Sequence, residues 1–374
     1  MATTFLTPTI IAKEALMALE NELVFGNLVH RGYSSDFHRV GDTVLVRKPH
    51  EFSTVHDFAG SGTTTSQTIV ESSVPVVMDK LNDITFPITS KELSLDIVDF
   101  REQCIAPAMR AHAQAIDVAL AERFVDIAAH YPVSATPAVE DIAGVRTQLN
   151  LNKVPAANRS VVLHPQTEQA YIVLDAFLHA EKRGDTKALR EAHMGRVFGM
   201  DWYMDQNIQT HTEAIATAPA TVSTGGTAGA TAIEVKGGTA VDAVIPVGDV
   251  FKITGESLDK GHLVTTAATL SGGSASITFT PALQSSVSAN SECTFQLTHK
   301  ANLALHKNAI ALVTAPLEPP LGGARGEVQS YKGLTCRVVY DYTSNIKTNV
   351  CSIDILFGIK TLNKELACRL CDAR

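Results

Sequence analysis

The side chains in this chain with chemical potential fall into a few small groups, and each can be tested against what its chemistry demands. Cys368-Arg-Leu-Cys371 sets two thiols three positions apart, and His211-Thr-Glu213 sets an imidazole close to a carboxylate. Together they loosely resemble the zinc and proton-shuttle residues of a nucleobase deaminase. That chemistry asks for a proline before the first cysteine and a far shorter gap between the halves. A structural four-ligand site needs a second close pair, which the other cysteines do not supply. A redox dithiol belongs in a strand–helix–strand unit, and none surrounds this pair. The expectation is therefore two thiols on a terminal strand or tail, with no metal.

The glycine clusters fare no better as chemistry. "STGGTAGATAIEVKGGTA" (residues 223–240) contains Gly225, Gly226, Gly229, Gly237 and Gly238. It matches neither G-x-x-x-x-G-K-[ST] nor G-x-G-x-x-G, so it reads as turns and not as a phosphate cradle. There is no G-x-S-x-G elbow and no H-E-x-x-H. The thirteen histidines are dispersed from His30 to His306. Pro316-Leu-Glu-Pro319 fits P-x-x-P, but it reads as a loop between core elements. The residues predict neither an enzyme nor a cofactor.

The composition belongs to a globular chain. Its 374 residues leave room for two or three domains, and 45% of them are hydrophobic against 19% charged. A net charge of −8 argues against tight sequence-specific nucleic-acid binding. No basic segment followed by an apolar core marks a secretory leader, and no apolar run of about 18 residues suggests a membrane span. Six scattered cysteines read as reduced thiols in a cytosolic compartment.

The elements follow from periodicity. Residues 7–24 read as an amphipathic helix with Leu16, Leu19 and Leu23 on one stripe, the candidates for contacts made by an N-terminal arm. "DTVLVRKP" (42–49) and "TIVESSVPVVMD" (68–79) read as a long hairpin around a polar, glycine-containing tip. Such an arm is marginal alone and needs a surface to lie on, its own chain's or a neighbouring subunit's. Arg47, Lys48, Glu51 and Asp57 near its tip are the candidates for intersubunit salt bridges. The strongest helix is read over 102–130: Met109, Ala113, Ile116, Leu120, Phe124 and Ile127 make one stripe, with Arg110, Gln114, Asp117 and Glu122 assigned to the opposite face. After Pro132 the pattern becomes α+β: "VEDIAGVRTQLNL" a helix, "RSVVLHP" a buried strand, "QTEQAYIVLDAFLH" a helix, and "GRVFGMDWYMDQNI" a strand or hairpin. Residues 217–298 then hold ten Gly and fourteen Thr and no Arg. Five or six short β-type runs there suit a small barrel or sandwich. Helical spacing is read again at "KANLALHKNAIALVTAPL" (300–317), and strands close the chain.

This order resembles the major capsid (coat) protein of tailed double-stranded DNA bacteriophages, in the subgroup with a β-domain inserted in the axial domain. The stretches that carry the likeness are residues 93–117, 300–317 and 351–370. The resemblance implies an α+β capsid fold. Residues 1–39 would be an N-terminal arm, 40–80 an E-loop hairpin and 81–132 a peripheral domain with a spine helix. Residues 133–216 and 299–350 would be the axial domain, 217–298 the inserted β domain, and 351–374 a return to the peripheral domain. It implies hexameric and pentameric capsomers in a virion capsid assembled in the host cytoplasm. The partners would be a scaffolding protein, a portal protein and loosely held, non-specific DNA, with no membrane. Lys48 could match a crosslinking lysine of one family branch, but no acidic catalytic setting supports it, and no crosslink is expected. The competing reading is a tail-associated or surface adhesion protein, suggested by the Gly/Thr tract.

Overall fold

The computed structural model describes residues 8–32, 43–48, 69, 72–89, 104–133, 136–178, 194–213, 220–237, 244–256, 261–320, 325–343 and 348–373. The chain divides into two compact units: Met1–Leu19 with Arg31–His112 and Ala311–Leu362, and Glu20–His30 with Ala113–Ile310 and Asn363–Arg374.

Helix α1 (Pro8–Glu22) starts with proline where its missing N–H costs nothing. Leu16, Leu19 and, just past its end, Leu23 are buried. A short α2 (Phe25–Leu28) follows. β1 (Thr43–Lys48) and β2 (Ser72–Val77) pair antiparallel, with Val44 opposite Val76 and Val46 opposite Val74. β3 (Lys80–Thr89) follows β2 almost directly; the sequence reading placed no strand there.

Helix α3 (Ala106–Ala121) is shorter than its apolar stripe suggested. Glu122–Asp126 tightens into a 3-10 turn, closed by the Ile127 N–H on the Phe124 carbonyl at 3.0 Å, and Ile127 itself is extended. Met109, Ile116, Leu120, Phe124 and Ile127 are nonetheless all buried. The stripe reported which side faces the core, and that side stays inward after the backbone leaves the α conformation. A second correction concerns Asp117, which is buried and does not lie on the polar face.

β4 (His130–Pro132) leads to α4 (Val139–Leu151), which buries Ile142, Val145 and Leu149 and begins with the Asp141 carboxylate accepting the Ala138 N–H at 3.0 Å. β5 (Arg159–Leu163) is buried at every position, as expected for a strand covered on both faces. α5 (Pro165–Ile172) is capped by His164, whose Nδ1 accepts the Gln166 N–H, and α6 (Asp175–Leu178) follows. β6 (Gly195–Val197) and β7 (Met200–Met204) form a tight hairpin, and β8 (Thr210–His211) comes next.

The Gly/Thr tract folds as a closed barrel. Its strands are β9 (Ala220–Val222), β10 (Ala232–Lys236), β12 (Val250–Ile253), β13 (His262–Thr266), β15 (Ser274–Thr280) and β16 (Glu292–Phe295), in the order β10-β15-β13-β12-β16-β9. β11 (Val244–Ile245) and β14 (Ala268–Thr269) form a small side pair. Alternate residues point inward: Ile233 and Val235, then Ala275, Ile277 and Phe279, then Cys293 and Phe295. At its centre Phe251 lies edge-on to Phe279 and tilted on Phe295, with ring centroids 5.5 and 5.2 Å apart. The glycines serve the turns. Gly225 sits at φ +77°, and a Cβ there would stand 2.9 Å from the Val287 carbonyl oxygen.

Residues 299–315 are strands and not the helix read from their spacing: β17 (His299–His306) and β18 (Ile310–Ala315). Both are buried along nearly their whole length, so the two-residue alternation is absent and chance apolar spacing mimics a helix. β19 (Arg325–Tyr331), β20 (Leu334–Thr343), β21 (Thr348–Thr361) and β22 (Ala367–Asp372) complete the chain. One sheet runs β4-β22-β17-β5-β7-β6, with β8 also on β17. The other runs β18-β21-β20-β19, with β3 also on β21. A division at 350/351 would fall inside β21, whose ladder with β20 runs from Thr348 to Asp354. Residues 311–362 stay together in the first unit, while β22 returns to the second, beside β17.

Candidate functional site

Two buried polar nodes lie in the second unit. In the first, the Asp117 carboxylate on α3 accepts the backbone N–H groups of Val24 and Gly26, each at 2.9 Å. This ties the turn after α1 to α3. Burial pushes the Asp117 carboxyl up to about 7, and the charge of Asp205 adds to this, while the hydrogen bonds from Val24 and Gly26 oppose it. Asp205 is itself raised by burial.

The second node joins the barrel to the sheet that carries β8 and β22. Arg369 on β22 is fully buried; its Nη1 donates to the Gly248 carbonyl at 2.7 Å, and its guanidinium carbon lies 5.1 Å from the centre of the Phe124 ring. Burial draws its pKa down to about 10, a shift that Cys371, Asp249 and Asp126 oppose. His211 on β8 meets the Asp249 carboxylate at 2.5 Å, and its ring stands 5.3 Å from Phe124 and 5.5 Å from His299. His299 donates through Nδ1 to the Leu297 carbonyl, and burial lowers it to about 4, so it is neutral at physiological pH. Gly248, at φ +97°, passes close to Val125: a Cβ would come within 3.0 Å of that side chain. The loop before β12 is thereby held at several points on β8, β22 and the 3-10 turn.

His211, weighed above as a metal ligand, is instead paired with a carboxylate 38 positions away. Cys368 and Cys371 are buried on β22, and burial raises both thiols, Cys371 to about 12. Among the described residues no three His, Cys, Asp or Glu side chains are grouped to hold a metal, and no helix is long and apolar enough to cross a membrane.

Of the candidate contact residues, Arg47 and Lys48 end β1, opposite Ser73 and Ser72; Glu51 and Asp57 lie outside the described residues. The base of the hairpin has a surface within its own chain. Val44, Val46 and Val76 pack with Ala311 and Val313. β2 crosses β21 at Gly358, where a Cβ would stand 2.3 Å from the Val77 carbonyl oxygen. The opposite face shows Leu45 and Val77, each about half exposed.

Sequence reasoning missed Asp117, Arg369 and Gly358. Asp117 is four residues after Ala113 and three before Leu120, on the edge of the apolar stripe, and that spacing was a usable signal. Arg369 interrupts Ala367-Cys368-Leu370-Cys371, an apolar run that argues for a strand buried on both sides. Gly358 sits inside a strand, near its C-terminal end, where a glycine often marks the close approach of another backbone.

The fold defined here is that of the tailed-phage major capsid proteins. A chain from Mycobacterium phage Che8 is similar at a TM-score of 0.50 and 14% identity, over 93% of this chain and 90% of that one. The capsid structure of cyanophage P-SCSP1u follows at 0.47 and 13%, over 89% and 84%. The family model described as P22 coat protein - gene protein 5 matches residues 1–244, and the chain belongs to that family. No curated protein matches the chain. It is accordingly a structural, homo-oligomeric subunit of a phage head shell, located in the virion capsid, and not an enzyme. Family membership displaces the tail-associated alternative.

Proposed function

We propose that the parts of this subunit divide the labour of shell building as follows. The segment through residue 39 serves as an arm. The hairpin built on β1 and β2 is an E-loop that reaches over a neighbouring copy, with Arg47, Lys48, Glu51 and Asp57 as its salt-bridge candidates. In place of the sequence-read bounds, which assigned 299–350 to the axial domain and 113–132 to the peripheral one, the first unit, with residues 311–362, is the peripheral domain. The second is the axial domain, meeting its copies in hexameric and pentameric rings, with 217–298 as its inserted domain. The scaffolding protein, the portal and loosely held DNA are its other partners, and assembly takes place in the host cytoplasm. An acidic chain suits DNA that must slide in and out, since few phosphate contacts are made.

One observation carries the inserted-domain reading. β8 and β17, the strands leading into and out of the barrel, are paired with each other, His211 opposite His299. The chain leaves the sheet and returns to the adjoining strand, so the parent sheet is continuous without the barrel. Closed rings built from head-to-tail contacts fit this use of surface. The test is electron microscopy of particles assembled from the full chain with its scaffold. Closed shells of hexameric and pentameric rings, with the barrel as a discrete knob, are expected. A subunit that stays monomeric at every concentration, with and without scaffold, overturns the reading.

A further inference from the structure

The β6–β7 hairpin is tightly rooted and unusually tipped. Val197 pairs with Met200, Arg196 with Asp201 and Gly195 with Trp202, leaving a two-residue turn of Phe198 and Gly199. Both turn residues have positive φ, +48° and +78°. Such turns match the twist of a hairpin, and the first position ordinarily takes Asn, Asp or Gly. A bulky side chain there is an outlier. The root is not soft. Met200 and Trp202 are buried, the Trp202 indole donates from Nε1 to the Val197 carbonyl at 3.2 Å, and its ring meets Tyr171 edge-on at 6.4 Å. Yet Phe198 remains 40% exposed, and a Cβ on Gly199 would meet nothing within 4 Å.

The turn itself does not need the ring, because asparagine would satisfy the backbone with less strain. The chain's own core does not use it fully either. On the same hairpin Tyr203 and Met204 are exposed, and Arg196 and Asp201 stand 4.0 Å apart at the surface. β6 is the end strand of its sheet. A protruding aromatic on a rigid root, with apolar neighbours and a charged rim, has the anatomy of an interface hot spot.

We propose that the Phe198-Gly199 tip is an anchor that inserts into a second copy of this chain within the capsomer ring. The occupant follows from the chain's class. It is a homo-oligomeric coat subunit, and a ring needs a head-to-tail contact in which a projection on one copy meets a different surface on the next. The inference rests on the axial-domain reading of this unit.

The test compares the full-length wild type with Phe198→Asn and Phe198→Tyr. Asparagine suits the backbone and removes the anchor; tyrosine keeps the ring. Phe198→Asn is expected to melt at or above the wild-type temperature while the concentration for half-assembly, read by sedimentation and electron microscopy, rises about tenfold or more. Phe198→Tyr is expected to assemble as the wild type does. The inference falls if Phe198→Asn assembles normally, if its melting temperature drops together with its assembly, or if its capsomers form normally and only scaffold recruitment is lost. A wild type that never assembles would instead sink the capsomer reading beneath it.

Discussion

The barrel and the β1–β2 hairpin are built from the same material, short β-branched runs with alternating polarity, and end in opposite conditions. The barrel closes on itself. Its inward residues share one core around Phe251, and closure removes the edges. The hairpin lays one face on its own chain through Val44, Val46 and Val76 and leaves Leu45 and Val77 exposed. Closure makes a self-sufficient body, whereas an open ribbon retains an exposed face, which the proposed function assigns to a neighbouring copy. A coat subunit uses both.

Breaking the self-sufficient side should cost most. Phe251→Ala removes the central ring of the barrel and is expected to destabilise the subunit by about 4 kcal/mol in denaturant unfolding. A loss under about 1 kcal/mol would show that the barrel does not unfold with its core. Next is the barrel's attachment. Arg369→Ala strands the Gly248 carbonyl and removes the buried cation that the Asp249 and Asp126 charges favour, and should cost about 3 kcal/mol. Arg369→Met, which fills the volume, should recover part of that loss.

On the hairpin side, Gly358→Ala forces β2 away from β21 and should cost about 2 kcal/mol by thermal melting, with assembly impaired further because the arm is re-aimed. A silent Gly358→Ala would mean that the hairpin base is free to shift.

The Asp117 clasp yields a pH signature. Its folded carboxyl titrates near 7, above an unfolded aspartate, so the folded chain holds the proton more tightly between those values. Its contribution to stability is therefore greatest at the acidic end of that window and is lost as pH rises through about 7. Wild type should lose on the order of 2 kcal/mol from this group between about pH 5 and about pH 8, and Asp117→Asn should flatten that slope. An unchanged slope in Asp117→Asn would assign the effect elsewhere. The smallest effect belongs to the open face. Leu45→Ser should change subunit stability by under about 0.5 kcal/mol while weakening assembly, which would separate surface reserved for neighbours from surface that holds the fold.

Much of this was legible in residue order. The barrel's strands were readable because each has one wet face, so Ile233 and Val235 alternate with polar neighbours. Helix α4 was readable from a 3–4 spacing running through Ile142, Val145 and Leu149. β17 and β18 were not, because a strand buried on both faces carries no alternation to read. The nodes were hardest. His211 was noticed for Glu213, two residues away, but its partner is Asp249, brought in by the path of the barrel.

The sequence by itself determined the inward stripes of α1, α3 and α4 and the compositional shift to a Gly/Thr-rich tract, because both depend on local solvent transfer. It determined the family as well, through the order of those elements. Only the tertiary structure decided which strands pair, that β8 and β17 adjoin across the whole barrel, and that Asp117 and Arg369 hold unusual positions. Those facts depend on groups far apart in the chain, and a polar or strained residue is explained by the neighbours that folding brings to it.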